Sequence, residues 1–255
     1  MQTVLFHSTI FGPIHSRRLG TSLGVNLSPD DGKVCSFDCR YCEAGFNAQG
    51  TGTTGLPPRQ EVRRQLEAKL LQMKAAGEGL DVITFSGNGE PTMHPEFAGI
   101  IDDTLALRDR YFPDVKVSVL TNATRLRKPE VVEALRRVDN NILKLDSALT
   151  PTMRAIDRPV DKDFTAERAI ADLEQFRGTG VIQTMLLRGS DFDNTTETEL
   201  AALAEAYRRI GPREVMLYSI DRPTPDKTLT RVMPDELKEY AQRLSEISGI
   251  HVYAY

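Results

Sequence analysis

Cys35, Cys39 and Cys42 are the only cysteines of this 255-residue chain, and they lie within eight residues at the spacing C-x3-C-x2-C. Thiolates are soft ligands, and three in one loop can hold a metal or an iron–sulfur cluster. A closed four-iron cluster takes four thiolates, and a structural zinc site takes four ligands. This set therefore leaves one metal position for something that is not protein. Other readings compete. Free cysteines also serve as small buried hydrophobes, but their confinement to one loop speaks against that. A disulfide framework does not suit an odd count in a long chain. Zinc would need a histidine, and His7, His15, His94 and His251 all lie outside short ligand spacing from the cysteines.

A second stretch with chemical potential is Thr84-Phe85-Ser86-Gly87-Asn88-Gly89-Glu90-Pro91-Thr92. Its glycines let a ligand approach the backbone closely, and Glu90 places a carboxylate beside them. A dinucleotide fingerprint fails, because the third glycine is absent and Glu90 would repel a pyrophosphate. Backbone carbonyls with a carboxylate suit a cation such as an ammonium group. The competing reading is a tight turn in which Glu90 caps the next helix. Further on, Lys144 and Asp146 alternate onto one face of a strand, the inner face if the sheet curls. A charged pair pointing into such a core is seldom only structural.

These residues need a frame. Val62, Leu66, Leu70 and Met73 mark one face of a helix, and Asp81–Ser86 follows as a strand. Phe97, Ile100, Ile101 and Leu105 mark the next helix, before the alternating Val115, Val117 and Val119. A helix opening at Pro129, a strand at 141–146, a helix through Ala169, Leu173 and Phe176, and a strand at 181–187 continue the alternation. Thr196 with Glu199 forms a capping box for a further helix. Strand 215–220, helix 234–247 and strand 250–255 complete it. Residues 1–34 read as irregular, apart from a short strand at 24–27, and 43–58 reads as a long Gly/Thr-rich loop. About six βα units with apolar strands imply a parallel sheet covered by helices, either open or an incomplete barrel, with ligands at the carboxyl ends of the strands.

Composition narrows the function classes. A net charge of −4 argues against a broad nucleic-acid footprint, although Arg125, Arg127, Lys128, Arg136 and Arg137 form a local basic run. No apolar stretch approaches the roughly 20 residues that span a bilayer. Residues 1–14 lack a basic segment followed by an apolar run, so reduced cysteines point to the cytoplasm.

The cysteine loop, with the aromatic Tyr41 before its last cysteine, and the later Gly-x-Gly-Glu-Pro together resemble the radical S-adenosyl-L-methionine (SAM) superfamily. The resemblance covers nearly the whole chain. It implies a single-domain α/β fold, a parallel (β/α)6 partial barrel, with residues 1–34 leading into a core spanning 24–255. It further implies that Cys35, Cys39 and Cys42 hold a 4Fe-4S cluster whose open iron is chelated by SAM. Reductive cleavage of SAM then yields a 5′-deoxyadenosyl radical that abstracts hydrogen from substrate. On this resemblance Tyr41 lies near adenine, Ser86, Gly87, Asn88, Gly89 and Glu90 bind the SAM ammonium, and Asn122 meets SAM's polar edges. Lys144, Asp146 and Ser147 reach its ribose or carboxylate, Arg188 on the fifth strand with Gln183 meets its carboxylate, and the strand bearing Tyr218 offers backbone to adenine. Asn88 departs from the usual Gly-Gly-Glu-Pro. An electron donor such as flavodoxin or ferredoxin is implied. Residues 11–20, Ser22-Leu23-Gly24 and Asp221-Arg222-Pro223 are similar to the small iron–sulfur oxidoreductases grouped with wyosine-type tRNA-modifying enzymes. Arg17 and Arg18 would then meet a substrate phosphate or carboxylate. The substrate expected is large, a tRNA base, protein or peptide, reached under a lid formed by 43–58. A non-catalytic electron carrier or redox sensor is the alternative.

Overall fold

In the computed structural model, which describes residues 4–16 and 18–255, the expected strands align in one sheet. In chain order they are β1 (Ile10–Ser16), β2 (Gly20–Val25), β3 (Val82–Phe85), β4 (Lys116–Thr121), β5 (Asn140–Lys144), β6 (Val181–Met185), β8 (Glu214–Tyr218) and β10 (Val252–Ala254), and they lie side by side in that order. A separate two-residue ribbon pairs β7 (Leu187–Arg188) with β9 (Thr230–Arg231). From β2 to β10 every neighbouring pair is parallel, and β1 alone runs antiparallel, against β2. The crossovers are made by α1 (Arg59–Ala76), α2 (Phe97–Tyr111), α3 (Pro129–Arg137), the pair α4 (Thr150–Asp157) and α5 (Ala166–Leu173), α6 (Glu197–Ile210) and α7 (Pro234–Ser248). Six crossovers between seven parallel strands, with edges at β1 and β10 that do not meet, make the expected partial barrel.

The strand period sorts the side chains onto two faces. Outward residues such as Leu23, Val25, Ile83, Phe85, Val117, Val119, Leu143, Ile182, Val215 and Leu217 pack against helix stripes in the main core. The α1 stripe is the expected Val62, Leu66, Leu70 and Met73, all buried, and each such side chain contributes about 1.5–3 kcal/mol through burial. Inward residues are different. Ile142, Val181 and Met216, with Leu19, Leu120 and Tyr255, form a small apolar plug. Polar side chains share this face; Ser22 and Thr84, for example, hydrogen-bond at 2.8 Å. The sheet is therefore apolar on its helix side and mixed on its inner side.

Three elements depart from the sequence expectation. The first parallel strand is Gly20–Val25 rather than 24–27, and residues 10–16, read as irregular, form its hairpin partner. Pro13 hid that strand, yet an edge strand tolerates proline because one side of its backbone needs no ladder partner. Helix α4 is short and opens with Pro151 in its first turn, so its apolar period is brief. The capping box at Thr196 is half made: Thr196 accepts from Glu199 N–H, but the Glu199 carboxylate turns away to Ser147. Among the described residues no helix is long and apolar enough to cross a membrane.

Candidate active site at the strand ends

The cysteine loop is built as an extension of the sheet. Val34 pairs with Gly89 across the turn that follows β3: its N–H donates to the Asn88 carbonyl at 3.2 Å, and its carbonyl accepts from Glu90 N–H at 2.9 Å. The far flank is tied to the end of α4. Asp38 N–H donates to the Asp157 carbonyl at 2.9 Å, Arg40 N–H to the Ile156 carbonyl at 3.0 Å, and Val160 N–H to the Ser36 carbonyl at 2.9 Å. Phe37 is buried edge-on against Phe164. Arg40, between the second and third cysteines, is buried and ion-paired with Asp191 at 2.5 Å and Asp226 at 2.6 Å. Both flanks are thus fixed, and none of the three thiols is in a disulfide.

Burial pushes the Cys35 thiol up to about 12, with the Glu90 charge adding to the effect, and it pushes Cys39 well above the usual thiol range. Lys33 supplies the counter-charge. Its ammonium is buried and donates to the Gly45 carbonyl at 2.8 Å. Burial works against its charge, but the Cys42, Cys35 and Cys39 sulfurs and Asp38 hold it above the ordinary lysine range. Sulfurs that resist ionising alone, beside a lysine placed to meet negative charge, form a donor set suited to a cluster that takes them as thiolates. A zinc site would need a histidine beside the cysteines, and the histidines are placed elsewhere: His7 Nδ1 meets the Asp30 carbonyl at 2.9 Å. His94 is engaged with the Pro57 carbonyl and Glu96 N–H.

Glu90 lies next to this loop, buried, with its charge disfavoured by burial and supported by Thr121, Thr92 and Asn122. Oε1 accepts from Thr92 N–H, Thr92 Oγ1 and Thr121 Oγ1, whereas among the described residues Oε2 accepts only Asn122 N–H, at 2.6 Å. The capping role is real, and Oε2 keeps acceptor capacity for a cation. Asn122 Nδ2 reaches Ser36 Oγ at 2.9 Å and Cys35 Sγ at 3.6 Å. The glycines act differently from expectation. A Cβ on Gly87 would overlap the Asn26 side chain, and one on Gly89 would overlap the Val34 carbonyl, so the close approach is made by protein. Asn88 is also corrected. Its amide is buried and bonded to Phe6 N–H and carbonyl and to the Pro29 carbonyl, so it anchors the N-terminal segment and gives the site no side chain.

Lys144 and Asp146 both point inward, to Tyr41. Tyr41 donates to Asp146 Oδ2 at 2.5 Å, Lys144 contacts both Tyr41 and Asp146, and Lys144 Nζ lies 2.9 Å from Asp157 Oδ1. Asp146 Oδ1 also accepts Met185 N–H at 2.9 Å. Burial opposes the Lys144 charge, but Asp146 and Asp157 raise it well above its usual range; burial raises Asp157. These charges are engaged with one another and orient Tyr41. Ser147 is a correction: it faces outward, bonded to Glu199 of α6 at 2.7 Å. Arg188 is another: it pairs with Glu236 and Asp193 and donates to Tyr240, away from the cavity.

A cavity of about 430 Å³ opens inside the barrel, within the range of small-molecule sites. Ser86, Tyr41 and Tyr218 line it, together with residues that sequence reasoning gave little weight: Phe11, Arg18 and Arg222. Arg18 lies 4.9 Å over the Tyr218 ring, and Gln183, with its amide oxygen turned toward it, accepts from its guanidinium. Arg17 lies outside the described residues. Arg222 pairs with Glu43 at 2.8 Å, linking the segment after β8 to the end of the cysteine loop. The 43–58 loop is not a lid: Asp31 takes the backbone and hydroxyls of Thr53 and Thr54, and only Glu43 from that loop lines the cavity.

Comparison with known proteins agrees with this architecture. Residues 31–198 match the model of the Radical SAM superfamily. A UPF0026 protein of Helicobacter pylori (strain J99) is 30% identical over 234 residues, covering 89% of this chain and 71% of the relative. Among solved structures, a radical SAM methyltransferase from Sphaerobacter thermophilus superposes with a TM-score of 0.69 at 19% identity, over 92% of this chain and 65% of that one. TYW1 with a lysine-pyruvate adduct bound gives 0.62 at 17%, over 90% and 75%. At those identities the likeness is one of fold, and the chain spans just under two thirds of the Sphaerobacter protein. With the family model covering more than half of its length, the chain belongs to the radical SAM superfamily, whose members use a 4Fe-4S cluster and SAM.

Proposed function

We propose that this chain is an enzyme that cleaves SAM reductively and abstracts hydrogen from a large substrate, working in the reducing cytoplasm. The observation that carries the reading is the pairing of Val34 with Gly89, which joins the cysteine loop to the turn bearing Glu90. In this reading Cys35, Cys39 and Cys42 hold the cluster, and Lys33 offsets its charge. Glu90 Oε2 takes the SAM ammonium, Asn122 lies between that group and Cys35, and the cavity beside Tyr41 and Tyr218 receives the adenosyl part. The cluster, once reduced, supplies the electron that breaks a carbon–sulfur bond of SAM. The protein's task is to hold SAM in register and keep the cavity shielded from solvent.

The substrate assignment favours a protein or peptide over RNA. Of the basic run, Arg127 pairs with Asp172, Arg136 with Glu133 and Arg137 with Asp102, so most of it is compensated. RNA binding would carry a steep salt dependence. The expected result is that reconstituted protein with SAM and dithionite releases 5′-deoxyadenosine, while Cys39→Ala falls to background. Equal release from both would remove the cluster assignment. An electron-carrier role would instead leave the EPR spectrum of the reduced cluster unchanged by SAM. Glu90→Gln is expected to weaken SAM binding by about tenfold, as loss of one charge-assisted hydrogen bond, measured by titration of the cluster-loaded protein.

A further inference from the structure

The cysteine loop has a second face. A surface hollow of about 550 Å³ is lined by Asp38, Asn47, Arg154, Arg158, Val160 and Lys162, and it shares no lining residue with the barrel cavity. Its floor is continuous with the metal-binding loop. Val160 N–H donates to the Ser36 carbonyl at 2.9 Å, and Asp38 N–H donates to the Asp157 and Arg158 carbonyls at 2.9 and 3.1 Å. Residues 36–38 therefore lie directly against this surface, and Asp38 is part of its lining.

The charge of the hollow runs against that of the chain, which is −4 overall. The Asp38 carboxylate is met from within by Asn47 N–H at 2.7 Å and by Lys33 at 3.6 Å. Arg154 donates to the Lys162 and Phe164 carbonyls, and Arg158 lies 5.6 Å over the Phe46 ring. Arg154 interacts with the Asp161 carboxylate, whereas Arg158 and Lys162 have no ion-pair partner among the described residues. Asp161 is held by Arg168 at 2.8 Å, which leaves Asp163 as the remaining exposed carboxylate of this segment. Val160, in the same lining, is 60% exposed. An exposed apolar side chain in a lining that carries the unpaired Arg158 and Lys162 is suited to steering and seating a negatively charged protein surface.

We propose that this hollow docks a small acidic one-electron carrier and that reducing equivalents enter through residues 156–160. The proposal rests on the assignment of Cys35, Cys39 and Cys42 as cluster ligands. One electron leaves the reduced carrier, which is oxidised by one, and the cluster is reduced by one; no proton or group moves with it.

The test uses cluster-loaded protein, titrated with an oxidised flavodoxin and, separately, reduced by photoreduced flavodoxin in a stopped-flow instrument. Arg158→Glu with Lys162→Glu is expected to lower flavodoxin affinity and the reduction rate by about tenfold or more at low ionic strength, and to flatten their salt dependence. Val160→Asp should act in the same direction without removing a cation. Deoxyadenosine formation with saturating dithionite should be unchanged in all of them. Unaltered flavodoxin affinity and reduction rate in these variants would overturn the proposal. So would a tenfold loss of affinity for a short RNA with flavodoxin binding intact, which would assign the patch to nucleic acid. If the parent protein fails to cleave SAM with dithionite, the enzymatic reading is what fails, and the flavodoxin titration still decides the surface.

Discussion

Gly89→Ala is expected to detach the cysteine loop from the sheet and to lower folding stability by about 3 kcal/mol, the upper part of the range for overpacking. The added Cβ would overlap the Val34 carbonyl oxygen and lie 2.6 Å from Ser28 Oγ. A clash with backbone is not relieved by a rotamer change, and the same carbonyl accepts the Glu90 N–H. Relief therefore requires the chain leading to Cys35 to move. Chemical denaturation should show the loss, and bound iron after reconstitution should fall below half that of the parent. Gly79→Ala is the control, since its Cβ meets nothing within 4 Å. Equal iron and stability in the two variants would mean that the Val34–Gly89 pairing does not hold the loop.

Lys144→Met carries the other large effect. Asp146 and Asp157 are both buried and both face the Lys144 ammonium. Without that cation two carboxylates are left close together in a low dielectric, and breaking a buried pair in this way costs about 3–5 kcal/mol. The sign of the pH dependence follows. Burial already raises Asp157, and loss of Lys144 raises it further. The folded variant then binds more protons than its unfolded chain between the unfolded and folded pKa values, so its stability falls as pH rises through that window. Denaturation midpoints should be higher near pH 5 than near pH 8, with the parent changing less. Adding Asp146→Asn should recover much of the loss, because one of the two facing charges is gone. A pH-independent deficit would show that the destabilisation comes from lost packing.

Much of the frame is legible in the sequence for simple reasons. Val115, Val117 and Val119 alternate, Val62 to Met73 recur at helical spacing, and six such alternations leave few sheet topologies open. Lys144 and Asp146 are placed inward by the same period of two, and that rule also explains why Ser147 faces α6. Arg188 escapes such reasoning because β6 ends at Met185 and the chain turns into a separate ribbon before reaching it. Asn88 reads as a ligand from its place in a Gly-rich turn, but only the three-dimensional path of residues 6 and 29 shows what its amide satisfies. Lys33 and Arg40 carry no motif role of their own, and Arg18 sits in a motif that pointed to a substrate anion instead. Their importance lies in long-range partners, Gly45, Asp226 and Tyr218, which no local pattern encodes.

The two hydrogen bonds between residue 34 and residues 88 and 90 have a thermodynamic consequence. They make the proposed metal socket and the proposed cosubstrate turn parts of one ladder, so ordering one orders the other. Coupling of this kind is reciprocal: whatever factor metal loading adds to SAM affinity, SAM must add to metal retention. A chelator should therefore strip iron more slowly from the protein when SAM is present, and the two protections should match in free energy.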